Sequence, residues 1–451
     1  MYPTLNENCF IYKTPEGGIL YYGGFPLQKV NPTGISILEF CDGSHNLDKI
    51  CQLLALKYHD ELQKVTNITM RFLKESQKRG NVSFQDTPVI RSTFVSGNSK
   101  YWAPYYVSLE LSKKCDLRCV HCYAEGSPYK SSQISSEKWI AILNDLYDLG
   151  TLTINLTGGD PFAYHAIFEI LDHCEDKFKV IVPTNGFRIN ENAVATIRNY
   201  KCIKHIQVSL DGPDEQTHDA IRGRKGSFYR AVNAINLLSK NTSIDIHVAM
   251  VILPQNEGKL EGTIKLAKTL GAKQFTAGKV FSIGRSKERF TITGEKLLEI
   301  DRQLVDLSKK YSDNNFYVRR RETEFLNTNF VNENVGLEEM LELGDLVLSM
   351  MGGNCGAGCK SFLIKSNGDV LPCSMMEIVI DNVLERSIKS IIELPLVQDI
   401  FRNVHSPNKK ICGNCGKNLL CMGCIAQAYI QSEKKACNWR KYFEHTLSSI
   451  K

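Results

Sequence analysis

The sequence predicts an α/β fold: a partial (β/α)6 barrel, preceded by a small winged-helix-like α+β domain and followed by a cysteine-rich C-terminal domain. Three observations carry this reading. From Tyr105 onward, short β-prone runs alternate with helical stretches, which implies a parallel sheet with right-handed crossovers. The first of these runs leads into Cys115, Cys119 and Cys122, spaced by three and two intervening residues. Eight more of the chain's 16 cysteines fall between Cys355 and Cys437.

Residues 1–85 form the small α+β unit. Short β-prone runs at Cys9–Lys13, Ile19–Gly23 and Leu27–Asn31 are punctuated by Gly17-Gly18 and Gly23-Gly24, which suit hairpin turns. Pro32 opens a helix over Thr33–Cys41, and Asp42-Gly43 stops it. Asn46 caps a second helix over Leu47–Tyr58, with Ile50, Leu53 and Leu54 on one side. A third helix over Gln63–Arg79 ends at Gly80. Residues 86–104 are polar, contain Ser, Gly and Asn, and read as a linker.

The barrel is assigned to residues 105–310. Val107, Leu109 and Leu111 alternate in its first strand, and further strands are expected at Thr153–Thr157, Lys179–Pro183, His205–Leu210, Ile244–Ile252 and Gln274–Phe281. Helices separate them. Trp139, Ile142, Leu146 and Leu149 recur at helical spacing before Gly150, and Phe228–Lys240 and Lys259–Leu270 are also helical. Chemistry in such sheets gathers at the C-terminal strand ends. There the sequence places the cysteine loop, Thr157-Gly158-Gly159-Asp160-Pro161, Thr184-Asn185-Gly186, Ser209-Leu210-Asp211-Gly212 and Gly284-Arg285. Residues 311–350 read as a mixed, mostly helical bridge, and residues 351–451 as the cysteine-rich domain. Within the latter, Ser361–Cys373 suits a hairpin turning at Ser366–Asp369.

Composition narrows the function. A chain of 451 residues is expected to hold two or three domains, and its 43% hydrophobic content supplies ample core. No run of about 18 apolar residues suggests a membrane span. Met1–Phe10 lacks a basic region followed by an apolar stretch, so no secretory signal is expected and a cytoplasmic location follows. The net charge of +6 is spread over the chain. The basic clusters Arg222–Lys225 and Arg319–Arg321 read as solvated faces, and neither nucleic acid nor membrane is expected as a partner.

Disulfides are rare in the cytoplasm, so so many cysteines point to metal or cluster ligation. Cys9, Cys41, Cys51, Cys174 and Cys202 are scattered and read as small core or surface residues. Three thiolates can hold three irons of a 4Fe–4S cluster and leave the fourth iron open to bind something reactive. The later Cys355, Cys359, Cys373, Cys412, Cys415, Cys421, Cys424 and Cys437 suffice for two fully ligated clusters. Zinc is the rival there, since paired Cys-x2-Cys motifs also build four-thiolate zinc sites.

The Cys-x3-Cys-x2-Cys loop followed by Gly-Gly-Asp-Pro resembles the radical S-adenosylmethionine (SAM) superfamily over roughly residues 105–310. The resemblance implies that Cys115, Cys119 and Cys122 hold a 4Fe–4S cluster whose open iron is chelated by SAM. It implies close approach of Gly158 and Gly159 to SAM's amino group, with Asp160 standing where the family often has Glu. Asn185 joins this cofactor-binding rim, Ser209 and Asp211 match the ribose-contacting strand, Tyr123 lies near the adenine, and Arg222 meets the SAM carboxylate. The C-terminal block resembles the SPASM domain, which implies one auxiliary cluster on Cys355, Cys359, Cys373 and Cys424 and a second on Cys412, Cys415, Cys421 and Cys437. Cys421 and Cys424 depart from the family in being separated by two residues, where many members have three. The stretch Val30–Tyr58 resembles the PqqD-like precursor-peptide recognition domain, in which a leader peptide adds as a strand to the sheet edge.

Together these resemblances imply a sactipeptide- or ranthipeptide-type maturase. Such an enzyme joins a peptide cysteine sulfur to a carbon of another residue by way of a 5′-deoxyadenosyl radical, with an electron donor such as flavodoxin or ferredoxin. Carbon–carbon cross-linking of a peptide, small-molecule or haem-related radical chemistry, and a DNA-binding redox sensor are the alternatives. The first 85 residues weigh against the small-molecule reading, which has no use for them.

Overall fold

A computed structural model describes the chain except for residues 23–24, 91–94, 131–133, 288, 291–293, 321–355, 404–408, 413–424, 433–437 and 449–451. Cys355, Cys415, Cys421, Cys424 and Cys437 therefore lie outside the described residues, as does Arg321.

The N-terminal unit is built on an antiparallel meander of β2 (Cys9–Thr14), β3 (Gly17–Tyr22) and β4 (Phe25–Val30). A separate pair joins β1 (Tyr2–Leu5) to β5 (Val82–Gln85), the first and last strands of the unit. Between β4 and β5 run α1 (Pro32–Glu39), α2 (Leu47–Tyr58) and α3 (Leu62–Lys78). Local chemistry sets their starts. Asn31 Oδ1 accepts from Gly34 N at 2.8 Å with Pro32 in the first turn, and Asn46 Oδ1 accepts from Lys49 N at 2.9 Å. Ile11, Leu20, Ile37, Leu38, Ile50 and Leu73 close the core between sheet and helices.

The stretch expected to be a linker contains β6 (Val95–Gly97), which pairs in parallel with β2 and gives the sheet the order β4-β3-β2-β6. Polar composition hid this strand, because it is three residues long and carries only one valine. Its end is tied to the barrel, where Gly97 N donates to Gly150 O at 2.9 Å. Trp102 and Ala103 are buried in the same stretch, and Gln398 clamps Trp102 by accepting from its N–H and donating to its carbonyl.

The main sheet has ten strands in the order β13-β12-β11-β10-β9-β8-β7-β14-β15-β16. Its parallel part comprises β7 (Tyr106–Glu110), β8 (Thr153–Thr157), β9 (Lys179–Thr184), β10 (Ile203–Ser209), β11 (Asp245–Ile252), β12 (Gln274–Lys279) and β13 (Tyr317–Arg320). The six expected strands are present as β7–β12. The seventh, β13, lies in the stretch expected to be mostly helical, and Arg319 and Arg320 of the basic run belong to it. Among the intervening helices are α4 (Ser136–Asp148), α5 (Ile167–Cys174), α6 (Glu191–Ile197), α7 (Glu215–Arg222), α8 (Ser227–Asn241) and α9 (Leu260–Thr269). Period-two alternation explains the register. Val107, Leu109, Ile154, Leu156, Val180, Val182, Ile206 and Val208 are fully buried in the main core, together with Trp139 and Leu146 of α4.

The C-terminal domain shares this sheet. β14 (Ser361–Ile364) pairs in parallel with β7, the strand that leads into the cysteine loop. It turns into β15 (Asp369–Leu371), which pairs with β16 (Asp381–Asn382), so the expected hairpin forms as an extension of the barrel sheet. No described helix is long and apolar enough to cross a membrane.

Candidate active site: the cysteine loop and its supports

The loop leaves β7 and is closed at its base by Cys115 N donating to Ser127 O at 3.1 Å and Ser127 N donating to Lys113 O at 3.0 Å. Cys115 and Cys119 are buried, Cys122 is half-buried, and all three pack with Leu117 and Phe187. The structure thus brings the three expected thiols together in a single small cluster.

Three other strand ends hold this loop. The end of β8 touches the base of the loop through backbone. Gly159 N donates to Ser112 O at 2.8 Å, and Asp160 N donates to Lys114 O at 2.9 Å. A Cβ on Gly158 would meet Ser112 O at 2.3 Å, and one on Gly159 would meet Lys114 O at 2.3 Å. The glycines are therefore needed for close contact between two segments of this chain, besides the close approach to SAM that the resemblance implies.

Asp160 braces the next strand. Its carboxylate accepts from Thr184 Oγ1 at 2.9 Å, Asn185 N at 2.8 Å and Phe162 N at 3.0 Å. Both oxygens are committed within the protein, which differs from the cofactor-facing role the resemblance implies; burial pushes its pKa up, against those hydrogen bonds. Asn185 carries the brace on to the loop, with Nδ2 3.4 Å from Cys115 Sγ.

From β10, Asp211 is wholly buried, and it too finds its partners in the protein. Its Oδ2 lies 2.7 Å from Arg222 Nε, and its Oδ1 accepts from Val251 N at 2.9 Å. Arg222, expected at the SAM carboxylate, lies at the end of α7 with Nη1 3.7 Å from Cys119 Sγ. The carbonyls of Ile221 and Arg222 also accept from Val120 N and Arg118 N, so the end of α7 caps the loop. Ser209 is half-buried as the last residue of β10, and Tyr123 shares a 3.1 Å hydrogen bond with Thr157 Oγ1.

Two supports carry roles that the sequence reading did not assign. Arg285, after β12, donates from Nε to Cys119 O at 2.8 Å and from Nη1 to Gly126 O at 2.9 Å. Its place beside Gly284 at a strand end was the available clue. His121, inside the motif itself, lies with Nε2 3.9 Å from Asp211 Oδ2.

Burial dominates the electrostatics. It pushes the Cys115 thiol up to about 12, with the Asp160 charge adding to the effect. It also raises Cys119, although Arg222 pulls in the opposite direction. His121 is pushed down to about 4 by burial, against the pull of Asp211. Burial would raise Asp211 as well, but Arg222, His121 and His218 hold its carboxyl below the usual range. Burial thus disfavours the charged forms of Cys115 and Cys119.

In the C-terminal domain, Cys359 is fully buried two residues before β14, and Cys373 is half-buried two residues after β15. The two hairpin ends meet where Gly358 N donates to Pro372 O at 3.3 Å. Cys373 and Cys412 pack on a shared apolar cluster with Met376, Phe401, Trp439 and Phe443.

A parallel-sheet barrel with three thiols gathered on its first strand loop, followed by a hairpin flanked by cysteines, is an arrangement able to hold an iron–sulfur cluster. The profile of the radical SAM superfamily matches residues 109–267, that of the SPASM iron–sulfur cluster-binding domain residues 355–416, and that of coenzyme PQQ synthesis protein D (PqqD) residues 19–82. The chain carries a radical SAM domain, with a SPASM region after it and a PqqD-like region before it, and its cofactors are SAM and 4Fe–4S clusters. Among curated proteins it is similar to the antilisterial bacteriocin subtilosin biosynthesis protein AlbA of Bacillus subtilis, with 27% identity over 98% of this chain and 96% of that one. The sporulation killing factor maturation protein SkfB of Bacillus subtilis is 29% identical over 73% of this chain and 72% of that one. Among solved structures, Streptococcus suis SuiB shares the fold at a TM-score of 0.65 and 17% identity, covering 94% of this chain and 96% of that one.

The glycine contact gives a direct prediction. Gly159→Ala is expected to displace the loop and lower bound iron by about four per chain, the content of one cluster. Gly258→Ala, whose Cβ would meet nothing within 4 Å, serves as the control and is expected to keep its full iron content. Iron analysis after anaerobic reconstitution checks both.

Proposed function

We propose that this protein is a maturase that installs sulfur-to-carbon thioether cross-links in a ribosomally synthesised precursor peptide. The observation that carries the proposal is the order of three regions in one chain, PqqD-like, radical SAM and SPASM, together with likeness to a bacteriocin biosynthesis protein over 98% of its length. Regions 1–85, 105–310 and 351–451 divide the work into peptide recognition, radical generation and electron handling.

The three thiols of the loop fit a cluster by their shared apolar setting and by the N–H groups of Asn185 and Arg222 aimed at two of the sulfurs. Cys115, Cys119 and Cys122 would hold the SAM-binding cluster. Cys355, Cys359, Cys373 and Cys424 would hold one auxiliary cluster, and Cys412, Cys415, Cys421 and Cys437 the other. Bound there, cluster and SAM supply a 5′-deoxyadenosyl radical able to take hydrogen from an unactivated C–H bond. The chain's own residues fix the loop, shield it from water and offer a concave sheet face to the peptide. That face is polar, with Asn155, Gln207 and the stacked rings of His205 and His247, whose centroids lie 4.1 Å apart.

The leader docks on the N-terminal sheet by strand addition. Among the described residues, β4 and the three-residue β6 are the edge strands of this sheet; β4 is the longer, and its Leu27 is 46% exposed. An external donor of the flavodoxin or ferredoxin type supplies electrons, and the reducing cytoplasm keeps the ligand thiols free.

Two outcomes follow. Mass spectrometry of the precursor peptide after reaction is expected to show loss of two hydrogens per link, with a cysteine sulfur blocked to alkylation; unmodified peptide alongside rapid SAM cleavage would contradict the assignment. Leu27→Asp is expected to weaken leader binding by about tenfold, or about 1.4 kcal/mol. It should leave SAM cleavage without peptide unchanged, as read by leader fluorescence anisotropy and 5′-deoxyadenosine release.

A further inference from the structure

Two side-chain N–H groups face sulfurs of the cysteine loop, and they differ in kind. Asn185 offers a neutral amide to Cys115 Sγ, and Arg222 offers a guanidinium to Cys119 Sγ. Arg222 is 7% exposed, and the carboxylate beside it, Asp211, is 0% exposed. The pair is built in from several directions. Val251 N donates to Asp211 Oδ1, His218 Nδ1 accepts from Asp211 N, and Asn256 Nδ2 donates to the Asp211 carbonyl. The Arg222 carbonyl is itself pinned by Arg118 N. One guanidinium nitrogen thus lies in a charge pair with a fixed carboxylate, and a second donates to a loop sulfur.

A charged donor on a thiolate stabilises added negative charge and so favours the reduced cluster. Such partners of a ligand tune a metal centre without touching the metal. Lysine would not reproduce the arrangement, because a point charge cannot fork between Asp211 and Cys119 as a planar guanidinium does.

We propose that Arg222, oriented by Asp211, is a positioning residue whose N–H···S contact with Cys119 raises the reduction potential of the cluster held by the loop. This rests on reading Cys115, Cys119 and Cys122 as a 4Fe–4S site, and it departs from the SAM-carboxylate role that the family resemblance implies for Arg222. The two roles separate cleanly. Loss of a carboxylate partner lowers SAM affinity, whereas loss of a sulfur partner lowers the potential.

The test uses full-length, anaerobically reconstituted protein in a redox titration followed by electron paramagnetic resonance. The relevant cluster is identified by the signal that changes on adding SAM, and SAM affinity is measured in parallel by equilibrium dialysis. Arg222→Met is expected to lower the reduced-to-oxidised ratio at fixed potential by about tenfold, or about 59 mV for a one-electron couple, with the SAM dissociation constant unchanged. A wild-type potential with SAM binding lost would overturn the proposal. Should Arg222→Met take up no iron, Arg222→Lys decides: a ratio shifted the same way supports the proposal, and a wild-type ratio overturns it. Absence of any SAM-sensitive signal in the wild-type protein would remove the cluster reading and the proposal with it.

Discussion

The backbone of Gly159 and Asp160 lies against the carbonyls of Ser112 and Lys114 more closely than any side chain at Gly159 would permit. Much of the site follows from that contact. It fixes the base of the cysteine loop to the end of β8. Asp160 then extends the bonding to Thr184 and Asn185 at the end of β9, and Asn185 returns to Cys115. The end of α7 and Arg285 close the far side. The loop is thus placed by main-chain and side-chain hydrogen bonds from different parts of the barrel, so little conformational freedom would remain to be lost on binding a cluster.

Charge is arranged with the same economy. The loop carries the buried Cys115 and Cys119 beside a buried Arg222–Asp211 ion pair. A buried pair of this kind contributes little net stability, since desolvation offsets most of the attraction. Its value lies in orientation: Asp211 holds the guanidinium where one of its nitrogens meets Cys119.

Much of this architecture was legible in the sequence. The barrel strands declared themselves because Val107 and Leu109, or Ile206 and Val208, alternate with residues that face the concave side. The cysteine spacing is local, and so survived translation into structure. Other features depend on distant partners. β6 is stabilised by pairing with β2 and by Gly150, not by its own composition. β13 is a strand because β12 offers it an edge. Spacing placed Asp160 and Asp211 at strand tips, but which way a carboxylate turns is settled by neighbours on other strands. Arg285 reaches Cys119 from 166 residues away.

The three regions are also joined physically. β14 continues the barrel sheet beside β7, and Tyr12, Tyr21, Trp102 and Tyr105 form an aromatic seam between the N-terminal sheet and the barrel. Lys360, adjacent to Cys359, lies over the rings of Tyr12 and Trp102. The cysteine loop is nonetheless the part on which the proposed chemistry stands. The most direct measurement is SAM cleavage by the protein with Cys115, Cys119 and Cys122 all replaced by Ala, under reducing, anaerobic conditions. No 5′-deoxyadenosine above the protein-free background is expected, while the C-terminal clusters still assemble; cleavage at the wild-type rate would contradict the assignment of the three thiols.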